Sequence, residues 1–69
     1  MIKLTGTDGN PVLVNPHYVM AVIGYSGDTR EYKLTPCATI FTMGGIAFNV
    51  VETPNDYYEI ERLGLGEAI

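Results

Sequence analysis

Two apolar runs that meet at Gly44-Gly45 constrain this chain more than any other feature. Residues 37–43 are rich in β-branched and aromatic side chains, and residues 46–51 form a second apolar run directly after the glycines. Two such runs separated only by glycines predict a β-hairpin, because glycine readily adopts the positive φ angles of tight hairpin turns. We expect this hairpin to form the core, with Ile40 and Phe48 at its centre. At a period of two, Ile46, Phe48 and Val50 share one face of the second run. The first run is apolar at Ile40 on one face and at Phe41 and Met43 on the other, so its pattern leaves open which face points inward.

The residues before this hairpin predict three further strands and one helical turn. Ile2–Thr5 and Pro11–Asn15 have strand character and are separated by a loop of about five residues that contains the turn dipeptide Asp8-Gly9. Pro16 follows an asparagine, which favours a turn and suits the opening of a single helical turn. Residues 19–23 are a continuous apolar run of strand length. Such a run favours burial on both faces, by the sheet on one side and by the helix or a partner chain on the other.

The end of the chain predicts a helix over residues 54–63. Thr53 and Asp56 have the spacing of a capping box, and Pro54 between them suits the first helical position. Apolar side chains then recur at helical spacing, so we expect Tyr57 to face the core. Gly64 stands where a C-terminal capping glycine is expected, and residues 65–69 either dock or fray. The side chains of the apolar stripe are Tyr57, Ile60 and Leu63.

These elements predict one small domain over residues 1–69, of the β-rich α+β class. We expect an antiparallel meander of four to five strands with one short C-terminal helix over its open face. A chain of 69 residues buries only a modest core, and its single cysteine excludes an internal disulfide. Oligomerisation is a common way to stabilise so small a core. Cys37 itself is expected to be a small buried hydrophobic residue.

The distribution of charge limits the classes of partner. The net charge is −4, and residues 37–69 hold one basic side chain against five acidic ones. Four Lys and Arg residues in the whole chain argue against binding to a phosphate backbone. The acidic C-terminal part fits either a solvated helix face or a surface that attracts a basic protein. No apolar run is long enough to cross a membrane and no signal peptide precedes the first strand, so we expect a cytoplasmic protein of a bacterial cell or a phage-infected host.

The sequence contains no recognisable catalytic, cofactor or metal motif. The single histidine, His17, follows a proline in a turn, and no pair of cysteines or histidines has the spacing of a zinc site. Gly44-Gly45 is not followed by the Lys and Ser or Thr of a phosphate-binding loop. We therefore expect no enzyme activity, no cofactor and no metal.

Five tyrosines are more than so small a core can bury. Tyrosine is favoured at interfaces because its ring buries area while its hydroxyl keeps a hydrogen bond. Residues 25–36, called the excursion below, are predicted to leave the sheet as a partly exposed strand or an arm that pairs with an open sheet edge. The alternative is that these are scattered surface tyrosines. The candidate interface residues are Tyr25, Arg30, Tyr32, Leu34 and Tyr58.

Several segments resemble one known family. The opening Met1-Ile2-Lys3-Leu4-Thr5, the turn glycine Gly9 and Val14-Asn15-Pro16 before an apolar run resemble the small FlbD-type proteins of bacterial flagellar operons. The run from Thr39 to Gly45, and Val50-Val51-Glu52-Thr53 before a short helix, resemble them as well.

This resemblance covers roughly residues 1–24 and 38–63 and implies a small sheet with a C-terminal helix. It also implies a non-catalytic accessory role linked to flagella or motility, with no catalytic residues to transfer. The excursion departs from the family, which has a shorter connection there.

Three functions follow as hypotheses. The first is a self-associating protein–protein interaction module of the FlbD-like kind. The second is a phage-encoded small protein, either a virion component or an inhibitor that docks on a host protein through its acidic half. The third is a small-ligand binder at a subunit interface, lined by tyrosine, Arg30 and Lys33.

Overall fold

The computed structural model describes residues 1–63, which form a small β-rich α+β fold. As the sequence predicts, the strands are antiparallel and one helix follows them, but the strands lie in two sheets, of two and three strands, rather than in one meander. The elements are β1 (Ile2–Thr5), β2 (Pro11–Val14), a 3₁₀ turn (Pro16–Tyr18), β3 (Val19–Gly24), β4 (Ala38–Thr42), β5 (Ala47–Val50) and α1 (Pro54–Leu63).

The two sheets meet at one corner. β1 pairs with β2, and β4 lies between β3 and β5. Gly6, just after β1, forms an isolated antiparallel bridge with Val50 of β5, and the Val51 N–H donates to the Thr5 carbonyl oxygen at 2.9 Å. The strands therefore follow one another in the order β2, β1, β5, β4, β3. β2 and β3 lie at the two ends of this order and are paired on one side only within residues 1–63.

The first hairpin forms as the sequence predicts. Residues 6–10 connect β1 to β2, and Gly9 has a φ of 88° within this connection. Asp8 shapes the turn, because its Oδ1 atom accepts a hydrogen bond from the Asn10 N–H at 2.9 Å. Ile2 and Leu4 face inward and are buried.

The central hairpin also forms, with two differences from the prediction. Ile40 pairs with Phe48, and Ile40 is fully buried while Phe48 is half-buried at the margin of the core. The connection spans residues 43–46 rather than Gly44-Gly45 alone, with a φ of 81° at Gly45. Ile46 therefore lies in the turn, beyond the end of the core, and its side chain is exposed.

Strand β3 is covered on one face only, whereas the sequence favoured burial on both. Val19 and Val22 pack against the core. The register with β4 shifts between Val19 and Ala21, which leaves Met20 as the extra residue of a bulge. Met20 and Ile23 are exposed because α1, which contacts β1 and β3, covers the core side of the sheet and not its other face.

The helix begins with the predicted capping box. Thr53 Oγ1 accepts from the Asp56 N–H at 3.0 Å, and Asp56 Oδ2 accepts from the Thr53 N–H at 3.1 Å. Tyr57 is buried and Ile60 packs against the core, while Leu63 is exposed at the last position. The predictions for Gly64 and for residues 65–69 lie outside the described residues. The buried core consists of Ile2, Leu4, Val14, Ala38, Ile40, Val50 and Tyr57.

Cys37 is half-buried, whereas the sequence predicted a small buried hydrophobic residue. It immediately precedes β4, and its Sγ atom lies 3.9 Å from the Thr35 carbonyl oxygen. Within residues 1–63, no helix combines the length and the apolar character needed to cross a bilayer.

Candidate functional site

The surface of interest is the outer face of the three-stranded sheet, opposite the core. Directly paired residues of neighbouring strands share a face. Because Ile40 is buried, its neighbours Thr39 and Phe41 point outward, and so do their partners in the register. The outer face therefore has two rows of paired residues, Ala21–Phe41–Ala47 and Ile23–Thr39–Asn49.

One end of this face is covered by the excursion. Thr39 Oγ1 donates to Asn49 Oδ1 at 2.7 Å, and Asn49 Nδ2 donates to Tyr32 Oη at 2.7 Å. This polar chain ties a residue of the excursion to two outward-facing side chains of β4 and β5. The excursion thus folds back on its own sheet. It forms a raised end of the outer face.

Backbone hydrogen bonds fix the two ends of the excursion. The Tyr25 N–H donates to the Cys37 carbonyl oxygen, and the Leu34 N–H donates to the Thr7 carbonyl oxygen, both at 3.0 Å. Pro36 is buried. No strand occurs between Arg30 and Leu34, so the prediction of a partly exposed strand at that position is wrong. The reason is that this segment bonds to the first hairpin and to β5 instead of extending away from the domain.

The structure brings Tyr25 and Tyr32 together within the excursion. Their rings meet edge to face, with centroids 6.0 Å apart and an interplanar angle of 89°. The Tyr25 hydroxyl donates to the Asp28 carbonyl oxygen at 2.9 Å, which closes the turn at residues 26–28. The aromatic pair is therefore held in place at the raised end by these contacts.

Arg30 is held locally by an acidic neighbour. Asp28 Oδ1 accepts from the Arg30 N–H at 2.9 Å, and Asp28 Oδ2 accepts from Arg30 Nε at 2.8 Å. These hydrogen bonds from Arg30 lower the pKa of Asp28. The pair is well exposed, so its contribution to stability is small.

The five candidate interface residues do not form one surface. Tyr25, Arg30 and Tyr32 share the excursion, and Leu34 lies at its far anchor beside Thr7. Tyr58 is exposed on α1, which covers the core side of the sheet rather than its outer face. Its position indicates a separate surface.

The rest of the outer face carries an apolar surface that was not predicted from the sequence. We call it the outer patch and define it by Met20, Ile23, Phe41 and Met43. Their exposed fractions are 66%, 54%, 37% and 63%. Phe41 is flanked on the same face by Ala21 and Ala47, and the Met43 N–H donates to the Tyr18 carbonyl oxygen at 2.8 Å. No polar side chain interrupts this group along the row through Phe41.

One sequence signal could have identified the outer patch. Residues 9–27 and 34–51 contain no Asp, Glu, Lys or Arg. Exposed edge strands commonly carry charged residues or proline that discourage association. β3 has neither, although it is an edge strand of its sheet.

The described residues offer little other chemistry. They enclose no cavity, and they contain no cluster of three His, Cys, Asp or Glu side chains that could hold a metal ion. His17 is exposed in the 3₁₀ turn, where its backbone N–H donates to Asn15 Oδ1 at 3.0 Å.

Comparisons of this chain with protein-family models, with curated proteins and with solved structures give no significant match.

Proposed function

We propose that this chain is a non-enzymatic protein–protein interaction module that associates with itself. The observation that supports this function is the outer patch. Its four large side chains expose on the order of 400 Å², within the ~300–600 Å² of the largest apolar patch on a typical monomer, which is often functional. Exposed single hydrophobic residues are ordinary, but a contiguous uncharged group of this size on one sheet face favours a contact surface.

The small size of the core supports self-association in particular. Only seven residues of the described chain form the buried core. A domain of this size has marginal stability by itself, and association that buries further apolar area is a common remedy. Two methionines in the outer patch add adaptable side chains that pack well against varied surfaces.

We further propose an FlbD-like accessory role, in the cytoplasm of a bacterial cell. The segments that carry the resemblance, residues 1–24 and 38–63, correspond to β1–β3 and to β4–α1. The departure from the family, residues 25–36, corresponds to the excursion. In this proposal the shared elements supply the scaffold, and the excursion adds a raised end that modifies the contact surface.

A second candidate is a phage-encoded protein that docks on a host protein through its acidic half. One observation favours it: Asp56 and Glu61 are exposed on α1, and Arg62, the basic residue of this helix, is paired with Glu59 at 2.8 Å. An acidic helix surface attracts a basic partner and raises its association rate.

Light scattering across a concentration series, from micromolar to millimolar protein, tests the first function. We expect the mass to rise with concentration to that of a dimer or larger assembly. In a matched series at high salt the assembly should persist, because apolar association is not weakened by salt and the repulsion between two acidic copies is screened. A constant monomer mass at every concentration would contradict self-association. The protein would then be used as bait for a basic partner.

A further inference from the structure

We propose that the partner on the outer patch is a second copy of this chain, packed face to face so that the excursion of each copy covers the outer patch of the other. This inference rests on the proposed self-association and specifies its geometry. The open part of the outer face is then occupied by the excursion of the second copy.

The location of charge favours a second copy on this face. The chain carries −4, so two copies repel one another wherever their acidic surfaces meet. The strands β3, β4 and β5 hold no charged side chain, whereas Asp56, Glu59 and Glu61 are all on α1. Contact through the outer face therefore brings two copies together without opposing their main acidic surfaces.

The shape of the outer face selects one arrangement of the two copies. One end is raised by the excursion above Asn49, and the other end, around Phe41 and Met43, is open. A two-fold axis parallel to the strands would place raised end against raised end. An axis across the strands places the raised end of each copy on the open end of the other. Such a contact is self-complementary, as a two-fold interface must be.

The outer patch and the excursion both contribute to the area that this arrangement buries. The outer patch supplies on the order of 400 Å² per copy, about half of the ~800 Å² that a standard interface buries on each partner. The exposed surface of the excursion supplies further area in the same contact, and its charged residues Asp28, Arg30, Glu31 and Lys33 sum to zero net charge. Packing of the outer patch alone would bury less than a stable dimer needs. The contribution of the excursion brings the area toward the standard size.

Three variants measured by sedimentation equilibrium test this geometry. Ile23→Asp and Met43→Asp each place a charge in the outer patch, the first on β3 and the second in the turn that follows β4. We expect each to weaken dimerisation by about tenfold or more, because a buried unpaired charge opposes association. Leu13→Asp is the matched control, since Leu13 is 52% exposed, close to the 54% of Ile23, but lies on β2. Leu13→Asp should leave the dissociation constant unchanged.

A second measurement follows the excursion directly. In NMR spectra of the wild-type protein, the ring signals of Tyr25 and Tyr32 should shift as the protein is diluted, and those of Tyr58 should not. Circular dichroism verifies that each variant is folded. If Ile23→Asp fails to fold, Met43→Asp and the tyrosine shifts decide the question.

The possible results separate this inference from the proposed function. A wild-type protein that is monomeric throughout contradicts self-association itself. A wild-type dimer that Leu13→Asp weakens as much as Ile23→Asp overturns the location. Weakening by Ile23→Asp but not by Met43→Asp would indicate pairing through the edge of β3 and overturn the face-to-face arrangement, as would tyrosine shifts confined to Tyr58.

Discussion

The two faces of the three-stranded sheet are built by alternate residues of the same strands, and they differ in how fully the rest of the chain covers them. On the inner face Ala38, Ile40 and Val50 have no exposed surface. On the outer face Ile23 and Phe41 remain exposed, although each directly follows a residue that faces the core, Val22 and Ile40 respectively. The inner face is closed by α1 and by the first hairpin, while the outer face is closed only at the end that Tyr32 reaches.

This difference separates the residues that specify the fold from those available for contact. The inner face is sufficient to fix the register of all three strands, because a one-residue slip would move Ile40 and Val50 into water. The outer face adds little to that register. It is therefore free to carry a surface that would cost solubility in a protein without a partner.

The largest predicted effect contrasts two isoleucines on the two faces. Ile40→Ala should destabilise the monomer by roughly 2–5 kcal/mol, since it removes a fully buried side chain and leaves a cavity. Ile23→Ala should change the free energy of unfolding by less than about 1 kcal/mol, because Ile23 is already half exposed. Urea unfolding of both variants at a concentration where the wild type is monomeric makes the comparison.

Equal losses in the two variants would contradict the distinction between the faces. A small loss for Ile40→Ala alone would show that the core around β4 collapses to fill the cavity. Phe48→Ala sharpens the test, because Phe48 lies on the inner face but is half-buried. Its cost should fall between those of Ile40→Ala and Ile23→Ala.

The second prediction concerns how the inner face is closed at the corner of the two sheets. The Glu52 carboxylate accepts hydrogen bonds from the Thr5 N–H at 2.9 and 3.1 Å, in a partly buried position. Glu52→Ala should therefore cost roughly 1–2 kcal/mol, since hydrogen bonds to charged groups exceed neutral ones. The matched control is Glu59→Ala, which removes an exposed ion pair with Arg62 and should cost at most about 0.5 kcal/mol. Thermal unfolding of the two variants at the same pH distinguishes these outcomes, and a larger loss for Glu59→Ala would contradict the assignment.

The third prediction tests the covered end of the outer face. Asn49→Ala removes both hydrogen bonds that connect Thr39, Asn49 and Tyr32. We expect a loss of about 1 kcal/mol together with faster proteolysis within the excursion, while the β-sheet signal in circular dichroism persists. Tyr32→Phe removes only one of the two hydrogen bonds and should have the smaller effect. An excursion as resistant to protease in Asn49→Ala as in the wild type would show that its backbone anchors alone hold it.

The fold could be predicted from the sequence because its determinants are local. The capping box at Thr53 and Asp56 defines the start of α1, and alternation marks Ile2 and Leu4 as inward-facing. Each of these signals lies within a few residues of the element that it specifies. The same holds for the two hairpins, in which the turn glycines Gly9 and Gly45 have positive φ angles.

The surface could not be predicted in the same way because it depends on contacts between distant residues. The Tyr32–Asn49 hydrogen bond joins residues 17 positions apart, and nothing in residues 30–34 distinguishes an anchored loop from a free arm. The position of the outer patch depends on which set of alternate residues of β4 faces the core. Ile40 and Phe41 are both apolar, so that choice is made by packing with core residues of the other elements and not by the strand itself.

The smallest predicted effect concerns Tyr57, which is buried where α1 covers the inner face. Its hydroxyl has no hydrogen-bond partner among the described residues. Burial, and secondarily the nearby charge of Glu61, raise the pKa of Tyr57 above its usual value near 10. As pH rises, the Tyr57 hydroxyl therefore loses its proton in the unfolded chain before it does so in the folded chain. The raised pKa adds its full contribution to the free energy of unfolding below pH 10, and this contribution is lost as pH rises through the folded pKa. Above pH 10, Tyr57→Phe should therefore be more stable to unfolding than the wild type. At pH 7 its free energy of unfolding should differ from that of the wild type by less than about 1 kcal/mol. Tyr58→Phe, which removes an exposed hydroxyl, is the control. Urea unfolding at the two pH values measures both effects, and a clear loss of stability in Tyr57→Phe at pH 7 would show that the hydroxyl has a partner after all.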